Sequence, residues 1–327
     1  MTDRQGRTID YLRIALTDRC NLRCTYCMPE QGIRYVARDE LMSYEELLRL
    51  VRLLKQHGFT KLRITGGEPF LRKDVMSFLS ALREPEYHIP RIHITTNGTL
   101  ILPRLEELKR LDITHINLSL DSLRPERFAD ITRRDNYQEV ITALHRMLEL
   151  GFHLKINMVV MADKNADEIA DMARLAEEHP LEIRFIEEMP FNGQGQRLPE
   201  SPWNHQRILE ELQQHFPQLH SLPKGPHATA ERYSAPGFRG SIGIIAAWSR
   251  TFCGSCNRLR LTPQGVLRTC LYDKGTFNLR DMMRAGATDR QILYAIQQAL
   301  QNRAPDGFES EKRSASSQTE SMAQIGG

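Results

Sequence analysis

Tyr11-Leu12-Arg13-Ile14-Ala15-Leu16-Thr17-Asp18-Arg19-Cys20-Asn21-Leu22-Arg23-Cys24-Thr25-Tyr26-Cys27 runs from a strand directly into a loop with three cysteines. Leu12, Ile14 and Leu16 alternate with Tyr11, Arg13, Ala15 and Thr17, the period of a strand with one apolar and one polar face. Further strand-like segments lie at 61–65, 91–96, 115–120, 153–160 and 181–186, separated by helical patterns. Residues 43–57 are the clearest helix. Ser43 with Glu46 forms a capping-box signature, Leu47, Leu50, Val51 and Leu54 make one apolar stripe, and Gly58 stands where the helix should stop. Residues 137–150, closed by Gly151, and 166–179, closed by Pro180, read the same way. Six β/α units in succession predict an α/β fold, its parallel sheet curled toward a barrel.

The polar faces of these strands are unusual. Lys61, Arg63 and Thr65 oppose Leu62 and Ile64. His93, Thr95 and Asn97 oppose Ile92 and Ile94. Asn117, Ser119 and Asp121 oppose Ile116, Leu118 and Leu120, and His153, Lys155 and Asn157 oppose Leu154, Ile156 and Met158. Strands of a parallel sheet are normally apolar on both faces. If the apolar faces pack on the helices, the polar ones line the inside of the curve. Unpaired charge is too costly for a dry core, so the pattern predicts a lumen holding water or a large polar ligand. Arg13, Arg63 and Lys155 on neighbouring inner faces favour an anionic guest; an open sheet with one solvated face is the alternative.

After residue 186 the rhythm changes. Residues 190–202 are loop-like, 204–216 helical and 222–240 rich in Pro, Gly and polar residues, with short strands at 242–248 and 259–262. Residues 1–188 therefore read as a barrel core and 189–327 as a smaller, irregular C-terminal extension, in which 303–324, rich in Ser, Glu and Lys, read as a mobile tail. The formal charge of +3 is too small to argue for a polyanion partner, so no nucleic-acid partner is expected and any affinity for phosphates must be local. The polar start and the lack of a long apolar run argue against secretion and against a membrane, so a cytoplasmic location is expected. Monomer and homodimer both remain open.

All six cysteines fall into two triplets: Cys20, Cys24 and Cys27, and Cys253, Cys256 and Cys270, the latter spaced C-x2-C-x13-C. In a reducing compartment such clusters point to metal rather than disulfides. Three thiolates are one ligand short of a closed zinc site, and the nearest histidine to Cys27 is His57. A [4Fe–4S] cluster with one open iron fits each triplet; zinc sites completed by distant residues, in a purely structural module, are the alternative.

The C-x3-C-x2-C run with Tyr26, followed by Gly66-Gly67-Glu68-Pro69 at the next strand end, resembles the radical S-adenosylmethionine (SAM) enzymes. The resemblance implies a partial (β/α)6 TIM-like barrel, SAM on the open iron and a 5′-deoxyadenosyl radical. Within that superfamily the whole chain resembles the GTP 3′,8-cyclases of molybdenum-cofactor biosynthesis. The residues carrying this are Thr17-Asp18, Cys27-Met28-Pro29, Arg63 to Pro69, Thr95-Thr96-Asn97-Gly98, Asn117 to Asp121, Phe252 to Arg260 and the terminal Gly326-Gly327. It implies a lyase with two [4Fe–4S] clusters, on Cys20/Cys24/Cys27 and on Cys253/Cys256/Cys270, the second presenting its open iron to guanine. By matching motif, SAM would be held by Tyr26, Gly67, Ser119 and Met189. GTP would be held by Arg13, Arg63, Thr95, Lys155, Arg258, Leu259 and Arg260, and Gly326 and Gly327 would assist the chemistry. The 3′ hydrogen of GTP would be removed and C3′ joined to guanine C8. An external one-electron reductant and a downstream enzyme that takes the product are the implied partners. A radical SAM enzyme acting on a peptide, its second cluster auxiliary, is the competing reading within the superfamily.

Overall fold

The computed structural model describes residues 1–193, 203–314 and 320–326. Strands β1 (Tyr11–Ala15), β2 (Lys61–Thr65), β3 (Arg91–Thr96), β4 (His115–Ser119), β5 (His153–Val160) and β6 (Glu182–Glu187) pair in chain order, each parallel to the next. These are the six expected strands, with some ends moved by one or two residues. The helix at Tyr44–Gln56 has the expected box: Ser43 Oγ accepts from the Glu46 N–H and Glu46 Oε2 from the Ser43 N–H.

The C-terminal residues contribute β7 (His220–Ser221), β8 (Glu231–Ser234), β9 (Ser241–Ile245), β10 (Arg258–Leu261), β11 (Val266–Arg268) and β12 (Phe277–Asn278). β9 extends the parallel sheet beyond β6, with Ile242 opposite Ile183, and β10 extends it beyond β1, with Leu259 opposite Leu12. The full order is β12-β11-β10-β1-β2-β3-β4-β5-β6-β9-β8-β7, a curled sheet that does not close. The chain therefore passes from one flank of the barrel to the other between Ile245 and Arg258, and Cys253 and Cys256 ride on that passage.

The stretch 222–240, rich in Pro, Gly and polar residues, holds β8, which pairs antiparallel with β9. One expectation is corrected. The described part of 303–324 is structured: Asp306 caps a helix over Gly307–Arg313, Glu311 pairs with the buried Arg250 at 2.7 Å, and a last turn covers Met322–Ile325. Its polar composition hid partners that lie far away in sequence.

Leu12, Ile14, Leu62, Ile64, Ile92, Ile94, Ile116, Leu118, Leu154 and Ile156 are buried in one continuous core with Leu47, Leu50 and Leu54 of the first long helix. At about 1.5–3 kcal/mol for each large apolar side chain, this outer layer holds the barrel and frees the inner face from carrying the core. Among the described residues, no helix is long and apolar enough to cross a membrane.

Candidate active site

The inner face encloses a cavity of about 720 Å³. Arg13, Arg63, Thr95, Ser119, Lys155 and Asn157 line it, as strand parity requires, and so do all six cysteines. Tyr26, Gly67, Met189, Arg258 and Arg260 open on the same space. Leu259 does not: its side chain is fully buried in the core behind β10, because it alternates with Arg258 and Arg260. Only its main chain could serve the site.

The first triplet sits on a loop clamped from three sides. Arg23 and Thr25 donate their N–H groups to the carbonyls of Thr132 and Ile131 at 2.9 Å. Asn97 Nδ2 donates to Cys20 Sγ at 3.6 Å and to Asn21 Oδ1 at 2.9 Å. From the β2 end, Gly67 and Glu68 donate to the carbonyls of Thr17 and Arg19. A Cβ on Gly67 would stand 2.3 Å from the Arg19 oxygen and one on Gly66 2.6 Å from that of Thr17, so only glycine lets the strand end lie this close. The Tyr26 hydroxyl donates to Asp121 Oδ2 at 2.8 Å, and Asp121 Oδ1 accepts from the Val159 N–H at 2.9 Å.

Burial, with the neighbouring Glu68 carboxylate, pushes the Cys20 thiol up to about 11. Burial and the neighbouring Cys20 push Cys27 up to about 12, and burial with Asp121 pushes Cys24 well above the thiol range. Thiols so placed become thiolates when a cation replaces their protons. Among the described residues, no three His, Cys, Asp or Glu side chains are gathered closely enough to hold one ion. A cubane, which takes its thiolates at separate corners, does not require that. Soft donors on one loop, beside a glycine cradle and facing a polar cavity, fit an iron–sulfur cluster and a ligand reaching it from the lumen.

At the second triplet, Cys256 Sγ accepts from Arg258 Nε at 3.3 Å and from Arg303 Nη2 at 3.0 Å. These cations outweigh burial and bring the thiol down to about 6. Asp273 shapes the turn at Cys270, accepting from the Thr269 and Cys270 N–H groups at 2.8 and 2.9 Å.

Between the triplets the lumen is strongly cationic. Burial, then the mutual repulsion of Arg260 and Arg258, lowers Arg260 to about 10; burial and Arg260 hold Arg13 well below the usual guanidinium range. Arg63 donates to the Tyr11 hydroxyl at 2.5 Å and to Thr95 Oγ1 at 3.0 Å. Glu182 offsets part of the charge, accepting from Lys155 at 2.8 Å and from Arg184. Cations crowded at depth are costly alone and favourable around a polyanion.

No motif singles out Tyr11, Lys61, Arg91 or Arg184, yet they line the cavity as well. Parity puts Tyr11 and Lys61 on the inner face, and on β6 the alternation of Glu182 and Arg184 with the buried Ile183 and Phe185 is the signal that finds Arg184. His93, His115 and His153 stack with ring centroids 4.5 Å apart on β3 to β5. Burial and its neighbour His153 push His115 down to about 4, and burial with Arg63 pushes His93 far below the usual imidazole range, so these two rings add no charge at neutral pH.

The end of the chain enters the same region. Ser321 Oγ donates to the Cys27 carbonyl at 2.7 Å, Met322 and Ala323 line the cavity, and Gly326 packs on Ala15. Gly326 has φ +75°. Gly327 lies outside the described residues.

Residues 14–176 match the radical SAM superfamily and residues 181–308 the molybdenum cofactor synthesis C family. A GTP 3′,8-cyclase of Syntrophomonas wolfei is 45% identical over 89% of this chain and 90% of its own length, and that of Desulforamulus reducens 40% identical over the whole of both. Molybdenum cofactor biosynthesis protein 1 of Bos taurus is 42% identical over 92% of this chain, which spans only 47% of that longer protein. In structure, Streptococcus suis SuiB bound to precursor peptide SuiA superposes with a TM-score of 0.60 over 85% of this chain and 65% of its own, at 16% identity, and so shares the fold. The chain belongs to the radical SAM superfamily and, within it, to the GTP 3′,8-cyclase family.

Proposed function

We propose that this chain converts GTP to (8S)-3′,8-cyclo-7,8-dihydroguanosine 5′-triphosphate, the first step of molybdenum-cofactor biosynthesis. One observation carries the reading: both cysteine triplets and the guanidinium groups of Arg13, Arg63, Arg258 and Arg260 open on a single cavity. Cys20, Cys24 and Cys27 would hold one [4Fe–4S] cluster and Cys253, Cys256 and Cys270 the other. SAM bound at the first cluster would supply the 5′-deoxyadenosyl radical that takes the 3′ hydrogen of GTP.

The chain's own part is orientation and exclusion of water. Asp121 fixes the Tyr26 ring beside the SAM site through its hydroxyl. The open main chain at Gly67 leaves room for the SAM amino group, with Ser119 and Met189 along its flank. Arg258 and Arg260, at i and i+2 on β10, turn two guanidinium forks to one side, suited to triphosphate oxygens. Arg13, Arg63, Thr95 and Lys155 continue that lining, Leu259 offering only its main chain. Gly326 and Gly327 would assist the chemistry. An external one-electron reductant, a downstream enzyme that takes the product, a cytoplasmic setting and a monomer or homodimer complete the proposal.

Iron and sulfide analysis after anaerobic purification tests its foundation. Two cubanes require about eight irons per chain; zinc in their place would leave the structural-module reading standing.

A further inference from the structure

The second cysteine triplet leans on a charged network built from both ends of the chain. Arg303 is only 5% exposed. Its Nη2 donates to Cys256 Sγ at 3.0 Å and its Nη1 to the Cys256 carbonyl at 3.1 Å. The same Nη1 lies 3.2 Å from Oδ2 of Asp3, whose side chain is fully buried. Asp3 is itself held by Arg7 Nε at 2.7 Å and by the Gln5 and Arg7 N–H groups at 3.0 Å. Arg7 then donates to the Cys253 carbonyl at 3.0 Å and to that of Pro305 at 2.7 Å. Residues 3–7 and 303–305 thus form a wall behind the loop that carries Cys253 and Cys256.

A simple tie between chain ends would need only the Asp3–Arg303 pair. This guanidinium also spends a donor on sulfur, although a neutral thiol is a poor acceptor. Desolvating a guanidinium against such a partner is unfavourable; against a thiolate it becomes a charge-assisted hydrogen bond. Hydrogen bonds to cysteinyl sulfur are among the levers that set an iron–sulfur cluster's reduction potential, because they draw electron density from the iron and favour the reduced state.

We propose that Arg303, oriented by Asp3, is a positioning residue for the second cluster: its N–H···S bond to Cys256 raises that cluster's reduction potential and fixes the Cys256 ligand. The proposal rests on the two-cluster reading above.

The test is a redox titration followed by electron paramagnetic resonance on the full-length, anaerobically reconstituted protein, with wild type, R303K, R303Q and D3N compared. R303K and R303Q should shift the second cluster to lower potential and change its signal, while the first cluster's potential and signal stay fixed. D3N, which keeps the guanidinium, should give a smaller shift in the same direction. If the Arg303 variants lose only the second cluster, with iron falling from about eight to about four per chain and the first signal intact, the positioning role also stands. An unchanged second-cluster potential and signal, even with a lower melting temperature, would reduce Arg303 to a structural tie and overturn the proposal. A wild type with iron on the first triplet alone would sink the two-cluster reading itself, an outcome distinct from the variant result.

Discussion

Arg260 Nη1 donates to the carbonyl of Gly326 at 3.2 Å, joining the inner face of β10 to the end of the chain. This contact, with Ser321 on the Cys27 carbonyl, places the tail between the two cysteine sites. Deleting residues 326–327 should therefore spare SAM cleavage and cut GTP conversion by roughly 10²-fold, the scale of a lost positioning contact. Quantifying 5′-deoxyadenosine and cyclised nucleotide in one reaction checks this; equal loss of both would put the tail's role elsewhere.

The two triplets should separate in function. Cys24→Ser should abolish 5′-deoxyadenosine formation. Cys270→Ser should keep reductant-driven SAM cleavage and lose the GTP product. A Cys24→Ser protein that still makes 5′-deoxyadenosine at the normal rate would remove the first triplet from SAM chemistry.

Leu259 and its two neighbours should behave oppositely. Leu259→Ala opens a cavity in the core and should cost about 2–5 kcal/mol of stability, with KM for GTP unchanged in the folded fraction. Arg258→Ala with Arg260→Ala should weaken GTP binding, each lost charge-assisted bond being worth about 1.5–3 kcal/mol. Thermal melts beside GTP titrations decide; wild-type GTP affinity in the arginine variant would take both arginines out of the site.

Tyr11 should report on the lumen's charge. Burial alone would raise its hydroxyl, but the nearby Arg63, Arg13 and Lys61 charges outweigh it and bring it down to about 7. With the ordinary value near 10, the folded value is depressed. The associated stability is therefore fully present above about pH 10 and lost as pH falls through about 7. Ultraviolet difference spectra should show one tyrosinate appearing near pH 7, absent in Tyr11→Phe, and shifted upward when GTP neutralises the cations. No tyrosinate signal below about pH 9 would contradict this balance of charges.

Gly67→Ala should lower thermal stability by about 1–3 kcal/mol, since its Cβ would meet backbone rather than a movable side chain. Iron uptake at the first triplet should fall with it; a melting curve and iron content matching wild type would mean that the β2 end can move away.

Much of this was legible because it is local. Alternation along β1 to β5 already put Arg13, Arg63, Thr95, Ser119 and Lys155 on one surface, and a parallel sheet can bring such residues together in only one way. The spacing of Cys20, Cys24 and Cys27 is likewise local. What stayed hidden depends on contacts distant in sequence. Arg303 reaches Cys256, and the tail reaches Cys27, through tertiary packing that leaves no periodic trace. Arg184 is marked by alternation with Ile183 and Phe185 on β6, whereas β8, with the sequence Glu-Arg-Tyr-Ser, carries no apolar alternation to mark it as a strand. Leu259 shares the motif of Arg258 and Arg260, but alternation along β10 turns its side chain into the core.

The most direct measurement is anaerobic incubation of the protein carrying both clusters with SAM, a one-electron reductant and GTP, followed by mass analysis of the nucleotide. The account predicts 5′-deoxyadenosine together with 3′,8-cyclo-7,8-dihydro-GTP, and deuterium from 3′-deuterated GTP appearing in the 5′-deoxyadenosine. SAM cleavage that leaves GTP unchanged, with the deuterium retained in the nucleotide, would contradict it.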